Sequence, residues 1–322
     1  MSNNISINKT TKPLVEKLIE KVSELNLSIE TTEGGAKIID AGINTSGCLE
    51  SGRLITEICM GGLGYVSLSM SNNIKEWPLS IHVHSSNPVL SCLASQYAGW
   101  NLSFVKEEDN FNALGSGPCR ALAQKEEIFK DLNYKDKFFS TVVILEVDRR
   151  PPQEIIDKIT TDCEISEKNL TLILTPTRSL SGCVQVVGRV LEVGMHKLHE
   201  IGFPLKKVID GFGSAPVPPP APDFLIGMGR TNDAILYGGQ VHLYVDVDDD
   251  EAYELAKRLP SSTSKDYGTT FAEIFKEYKY DFYQIDKLLF SPAKVIVTTL
   301  KTGKTFVSGE INTELVKQSF SK

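Results

Sequence analysis

"STVVILEVDRRPPQEIIDKITTDCEISEKNLTLILT", Ser140 to Thr175, sets two short, almost wholly apolar runs, STVVILEV and NLTLILT, on either side of the charged, proline-broken DRRPPQEIIDKI. Runs of this length and composition, bounded by turn residues, read as buried strands. The pattern continues outwards in both directions. Upstream, the strand signals GYVSLSM, LSIHVHS and LSFVKEE interleave with the helix signals NPVLSCLASQYAG and CRALAQKEEIFKDL. Before them come an amphipathic helix from about Pro13 to Leu25 and short strands at Leu27 to Thr32 and Ala36 to Ala41. Downstream lie a long apolar helix, a Gly/Pro-rich loop, the strand GQVHLYVDV, helices through Tyr283 and a closing hairpin, AKVIVTTL into TFVSGEI. This alternation predicts an α/β fold with mixed sheets. The consecutive prolines after Arg149-Arg150 resist both helix and central strand, so a division is expected there. The expected organisation is two α/β lobes, 1–148 and 149–322, with a substrate cleft between them.

The long helix, GRVLEVGMHKLHEIGFP from Gly188 to Pro204 and the turns before it, is apolar almost all the way round. At about 100° per residue, Gln185, Arg189, Glu192, His196 and His199 form one thin polar line opposite Val184, Val187, Leu191, Met195 and Leu198. Such a line opens on water or on a cleft. In the first case Arg189 and Glu192 are an ordinary i,i+3 surface pair. In the second they are chemistry.

Composition narrows the classes. The 322 residues carry 41 acidic against 34 basic side chains, a net charge of -7, with no Lys/Arg cluster. That argues against a nucleic-acid or anionic-membrane surface. The N-terminus is polar and no apolar run reaches the 18 or so residues of a membrane span, so a cytoplasmic protein is expected. Six cysteines, Cys48, Cys59, Cys92, Cys119, Cys163 and Cys183, stand singly without CxxC spacing and read as buried thiols.

Three further stretches carry polar groups suited to a ligand. His82 and His84 share one face of a strand, an arrangement that metal-dependent amidohydrolases use, although Arg189 is a poor neighbour for a metal bound by His196 and His199. GSGPCRAL, Gly115 to Leu122, sets Ser116, Gly117 and Arg120 around a helix start, where free amides and the guanidinium suit a phosphate or carboxylate; a plain tight turn with Pro118 opening the helix is the alternative. DGFGSAPVPPPAPDFLIGMGRTNDAILYGG, Asp210 to Gly239, couples a polyproline run to glycines and interleaved polar residues, which suits a rigid cleft wall or a proline ligand for a partner's aromatic groove.

Together, PTRSLSGCVQVVGRVLEVGMHKLHEIGFP, the Asp210 to Gly239 segment running on into QVHLYV, GSGPCRAL, and DYGTTFAEIFKEYKYDFYQIDKLLFSPA resemble methenyltetrahydromethanopterin cyclohydrolase, essentially end to end. The resemblance implies a cytoplasmic one-carbon enzyme that reversibly hydrolyses a methenyl bridge on a tetrahydromethanopterin-type carrier. It implies no cofactor and no metal, and a homo-oligomer, commonly a trimer. The family's catalytic Arg-x-x-Glu matches Arg189 and Glu192 in type and spacing, with Glu192 as general base and acid and Arg189 orienting it. Motif membership adds Ser116, Gly117, Arg120, Arg178, Gln185, Asp210, Asp223, Arg230, Asn232 and Asp233 as candidate substrate contacts. Two rivals are a metal-dependent cyclic amidohydrolase built on His82 and His84, and a non-catalytic pterin-binding protein.

Overall fold

A computed structural model of the chain describes residues 5–321 other than 72, 73, 107, 108, 222, 282 and 283, so Pro222 and Tyr283 fall outside it. The chain folds as two compact units, Met1–Leu63 with Leu90–Gln185 and Gly64–Val89 with Val186–Lys322. Each is built on a six-stranded mixed sheet, in agreement with the α/β expectation. Arg149 to Pro152 do not separate the units; they lead from one strand of the first unit into its next helix.

In the first unit the strands are β1 (Ser28–Thr31), β2 (Lys37–Asp40), β5 (Trp100–Lys106), β6 (Asp109–Ser116), β7 (Thr141–Leu145) and β8 (Leu170–Leu174); in the second they are β3 (Tyr65–Met70), β4 (Leu79–Ser85), β9 (Val208–Pro216), β10 (Gln240–Val245), β11 (Lys294–Thr299) and β12 (Thr305–Gly309). The first sheet runs β1-β2-β8-β7-β6-β5, with β2, β8 and β7 mutually parallel. Every residue of β7 and β8 is buried, because helices cover both faces of the sheet. Val143, Leu145, Leu170, Leu172 and Leu174 pack with Ile155, Ile156 and Ile159 of the helix Gln153–Cys163. Val142, Ile144 and Ile173 point the other way, into a core with Val15 and Leu18 of α1 (Ile7–Glu20) and Leu54, Ile55 and Ile58 of α2 (Leu49–Cys59). Alternate side chains of one strand thus feed two cores, the physical reason for its unbroken apolar run.

Local details depart from the sequence reading. α1 starts at Ile7, not Pro13, because the Ser6 hydroxyl accepts the Lys9 amide and caps the helix there. The helix expected through CRALAQKEEIFKDL is two, α3 (Cys119–Ala123) and α4 (Ile128–Leu132), since Gln124 takes a left-handed conformation at φ 56°. Cys48 is only half-buried, its sulfur accepting the Ser51 amide at the start of α2.

The second sheet runs β12-β11-β10-β9-β4-β3. Its β3–β4 hairpin comes from the early segment and joins β9 antiparallel, with Val83 opposite Gly213 and His84 opposite Phe212. The long helix expected around Gly188 is broken. After α5 (Gln153–Cys163), α6 (Leu180–Val187) closes the first unit and α7 (Val190–Glu200) opens the helical layer of the second, with Arg189 between them at φ -83°, ψ 3°.

α7 lies against β9, β10 and β4, and two glycines of β9 let it approach. A methyl group on Gly211 would sit 2.8 Å from Leu191 Cδ1, and one on Gly213 would sit 2.9 Å from Val190 Cγ1 and 3.1 Å from the Leu191 amide nitrogen. Gly213→Ala must therefore displace the first turn of α7, and is expected to lower unfolding free energy by about 1–3 kcal/mol. Gly194, within α7, has no neighbour closer than 3.6 Å to a new methyl. Gly194→Ala should be neutral or stabilising by roughly 0.5–1 kcal/mol. Urea titration of the two variants checks the contrast, and equal stabilities would show that the close approach is not what fixes α7.

Candidate active site

Arg189 and Glu192 occupy the break that starts α7. Arg189 takes the cap position and is half-buried; Glu192 is in the first helical turn and only 4% exposed. A carboxylate there faces the positive end of the helix dipole. An arginine one turn away supplies a fixed positive charge. The polar line read from the sequence is therefore not a continuous helix face: Gln185 belongs to α6 and is fully buried, its Nε2 donating to Thr175 Oγ1 at 3.1 Å and its Oε1 accepting from the Cys59 thiol at 3.9 Å.

In the second unit, the Asp210 to Gly239 segment forms β9, the proline run and α8 (Phe224–Leu236). Asp223 caps α8 by accepting the Ile226 amide at 2.9 Å. Arg230 reaches back to the proline run, with Nη1 donating to Pro219 O at 3.1 Å and Pro220 O at 2.8 Å. Its Nε is buried with no hydrogen-bond partner among the described residues. Asn232 donates to Met228 O within the helix, and buried Asp233 accepts the Phe271 amide at 2.8 Å. The Arg230 contacts tie the proline run to α8.

Asp210 lies elsewhere. It precedes Gly211, whose missing side chain faces α7, so Asp210 points from the opposite face of the sheet, where Oδ1 meets His84 Nε2 at 2.9 Å and Oδ2 accepts from Ser86 Oγ at 2.8 Å. The sheet thus stands between Asp210 and Glu192. His82 and His84 do share a strand face, but each imidazole has its own partner, His82 Nε2 lying 2.6 Å from Ser69 Oγ. Burial pushes His82 and His242 below the ordinary histidine range. Among the described residues, no group of three or more His, Cys, Asp or Glu side chains is placed to hold a metal ion.

In the first unit, GSGPCRAL takes the tight-turn alternative. Ser116 donates to Gln96 O, and Gly117, at φ 98°, donates its amide to Ser95 O. Arg120, expected to meet an anion, is instead fully buried. Its Nε and Nη2 bond the two carboxylate oxygens of Glu126 at 2.8 and 2.6 Å, Nη1 donates to Leu93 O and Ser95 O, and its Cζ lies 5.0 and 5.3 Å from the ring centroids of Tyr97 and Phe129. A guanidinium with these commitments holds a loop together. Arg178, by contrast, is exposed in the turn after β8, with one contact to Ile43 O at 3.3 Å.

One buried charge escaped the sequence reading. Lys197 is fully buried in α7, its ammonium donating to Pro260 O at 2.7 Å, Thr263 Oγ1 at 2.9 Å and Leu288 O at 2.7 Å. The signal was present: seven residues after Val190, Lys197 falls on the apolar side of the helix. Burial pushes its ammonium down to about 8.

The family model described as "Cyclohydrolase (MCH)" matches residues 6–320. A methenyltetrahydromethanopterin cyclohydrolase of Methylobacillus flagellatus is 57% identical over 315 residues, 98% of this chain and 95% of that protein. A protein of the same name from Methylobacterium organophilum is 49% identical over 316 residues, 98% of both chains. One from Methanothermobacter marburgensis is 40% identical over 321 residues, 98% of this chain and 99% of its own.

Proposed function

The chain belongs to the methenyltetrahydromethanopterin cyclohydrolase family, and from that premise we propose that Glu192 and Arg189 open the methenyl bridge of a tetrahydromethanopterin-type carrier to its formyl derivative. The observation that supports this reading most directly is the placement of a nearly buried carboxylate one helical turn from an arginine, at a break in an otherwise apolar helical stretch.

The chemistry asks for little more. The methenyl carbon lies between two nitrogens that share a positive charge, so it is already electrophilic. Water adds to that carbon while Glu192 takes one of its protons, which gives a neutral tetrahedral adduct. Glu192 then passes the proton to one nitrogen as its bond to the carbon breaks. The remaining hydroxyl proton leaves as the formyl carbonyl forms, so cation and water become neutral formyl product and one released proton. One carboxylate can serve each transfer in turn. Arg189 orients the carboxylate and disfavours the cationic reactant relative to the uncharged adduct.

Arg178, exposed beside the turn after β8, and Arg230, with its unpartnered Nε, are the arginines we assign to the carrier's polar groups. Asp223, Asn232 and Asp233 hold α8 and its contact with Phe271. Ser116, Gly117, Arg120 and Gln185 act through packing. No helix among the described residues is long and apolar enough to cross a membrane. A cytoplasmic setting and assembly into a homo-oligomer, a trimer, complete the reading.

Loss of the methenyl chromophore tests the substrate. Purified protein should consume methenyltetrahydromethanopterin with a kcat/KM at least about 100-fold above that for methenyltetrahydrofolate, because polar groups built for one carrier are left unpaired by the other. Equal efficiency would overturn the carrier assignment. Binding without turnover would favour a pterin carrier instead.

A further inference from the structure

On the α1 side of the first unit's sheet, at the start of β7 and β8, lies a groove of about 170 Å³. That is room for roughly ten water-sized groups. Its apolar lining is Val15 and Ile19 of α1, Val142 of β7, and the ring of Phe139, which is 56% exposed. Lys12, Lys37 and Lys168 line it too, against the single carboxylate of Glu16. Lys12 is 3.5 Å from Glu16 and sits over the Phe139 ring, 5.2 Å from its centroid.

Lys37 and Lys168 are exposed, and neither has an acidic partner among the described residues. Thr171, only 8% exposed, lines the same groove, and its hydroxyl has no hydrogen-bond partner among the described residues; the same holds for the half-buried Ser140. The Thr171 hydroxyl opens onto the groove, where it can donate to a bound group. In a chain of net charge -7, this concave patch collects positive charge and unused donors around an apolar floor. Arg178 follows the opposite end of β8, so the groove shares no residue with the proposed reaction.

We propose that this groove binds a small organic anion, a carboxylate or phosphate monoester on a short apolar body. Lys37 and Lys168 hold the anionic head with Thr171 and Ser140 as hydroxyl donors, and Val15, Ile19, Val142 and Phe139 cover the body. The head supplies the acceptors that the groove lacks. Inorganic phosphate alone would leave the apolar floor uncovered.

Titration calorimetry on the full chain tests this with benzoate and phenyl phosphate as probes, against benzyl alcohol and inorganic phosphate. Both organic anions should bind at one site with a Kd on the order of 1 mM or tighter. Benzyl alcohol and inorganic phosphate should each bind at least about tenfold more weakly. The double variant Lys37→Ala, Lys168→Ala should weaken binding by about tenfold or more, and Thr171→Val by roughly threefold, with unchanged melting and unchanged hydrolysis. Three results would each overturn the proposal: no heat with either anion at tens of millimolar, undiminished binding to the lysine double variant, or displacement of the probe by the methenyl pterin. The last would place the anion at the reacting site, and none of the three bears on the roles of Glu192 and Arg189.

Discussion

Glu192→Gln should lower turnover by about 10²–10⁴-fold, the usual size of lost general acid–base help, while leaving substrate binding in place. Glutamine keeps the length and hydrogen-bonding reach of the side chain but cannot take a proton. The fold should register little change, because the substitution is nearly isosteric. Arg189→Ala should also slow the reaction, and the double variant should be little worse than Glu192→Gln alone, since the two side chains act on one step. Chromophore loss measures the rate, and quenching of intrinsic fluorescence by the pterin measures binding. Were the pair merely structural, both substitutions would leave the rate intact and act on stability alone. A fully active Glu192→Gln protein would overturn the catalytic assignment and leave family membership untouched.

Lys197→Ala should destabilise the protein by about 3–5 kcal/mol, since it strips a buried charge from three acceptors and leaves them without water or partner. The loss falls on the contacts that join α7 to Pro260, Thr263 and Leu288. Its pH signature has a definite sign. The folded chain releases this proton near pH 8 and the unfolded chain near 10.5. Between those values the unfolded chain holds more protons, so stability rises with pH there as the folded chain sheds the cost of burying the ammonium, and below about 8, where both states are charged, this pH dependence vanishes. Urea titrations at pH 7.5, 9 and 10 on the wild type and on Lys197→Met give the slope. A wild-type slope identical to that of the methionine variant would show that the ammonium keeps its proton across this range.

The α/β class was legible because β7 and β8 bury both faces, which leaves an unbroken apolar run that few other settings produce. The partition of the chain was not. Proline pairs mark a backbone that cannot continue a helix or inner strand, but Pro151 and Pro152 only turn the chain from β7 into α5. What decides the partition is the pairing of β4 with β9, and periodicity says nothing about partners so distant in sequence. The broken helix was hidden for a related reason: apolar spacing continues through Gly188 and Arg189, and nothing in it marks the turn at Arg189 or the glycines of β9 that α7 packs against. Arg120 looked like an anion ligand because the sequence shows the glycines and the helix start but not the bend at Gln124 that returns Glu126 to its guanidinium. Arg189 and Glu192 were singled out as the reacting pair through family resemblance; the spacing alone favoured a surface ion pair.

The β3–β4 hairpin also sets a schedule for synthesis. His84 and its partner Asp210 are 126 positions apart, so a ribosome adding about 5–20 residues per second leaves the outer edge of β4 without its neighbour for roughly 6–25 s. Everything the first unit needs has been made by Gln185, before β9 exists. The nascent chain therefore carries a finished domain with an unmated hairpin looped out of its middle, its free strand edge and its buried-to-be Ile81 and Val83 open to other chains. Chaperone demand during translation should concentrate on that loop, and in a circular permutant that starts at Val186, where β9 is made before the hairpin, it should move to the waiting edge of β9.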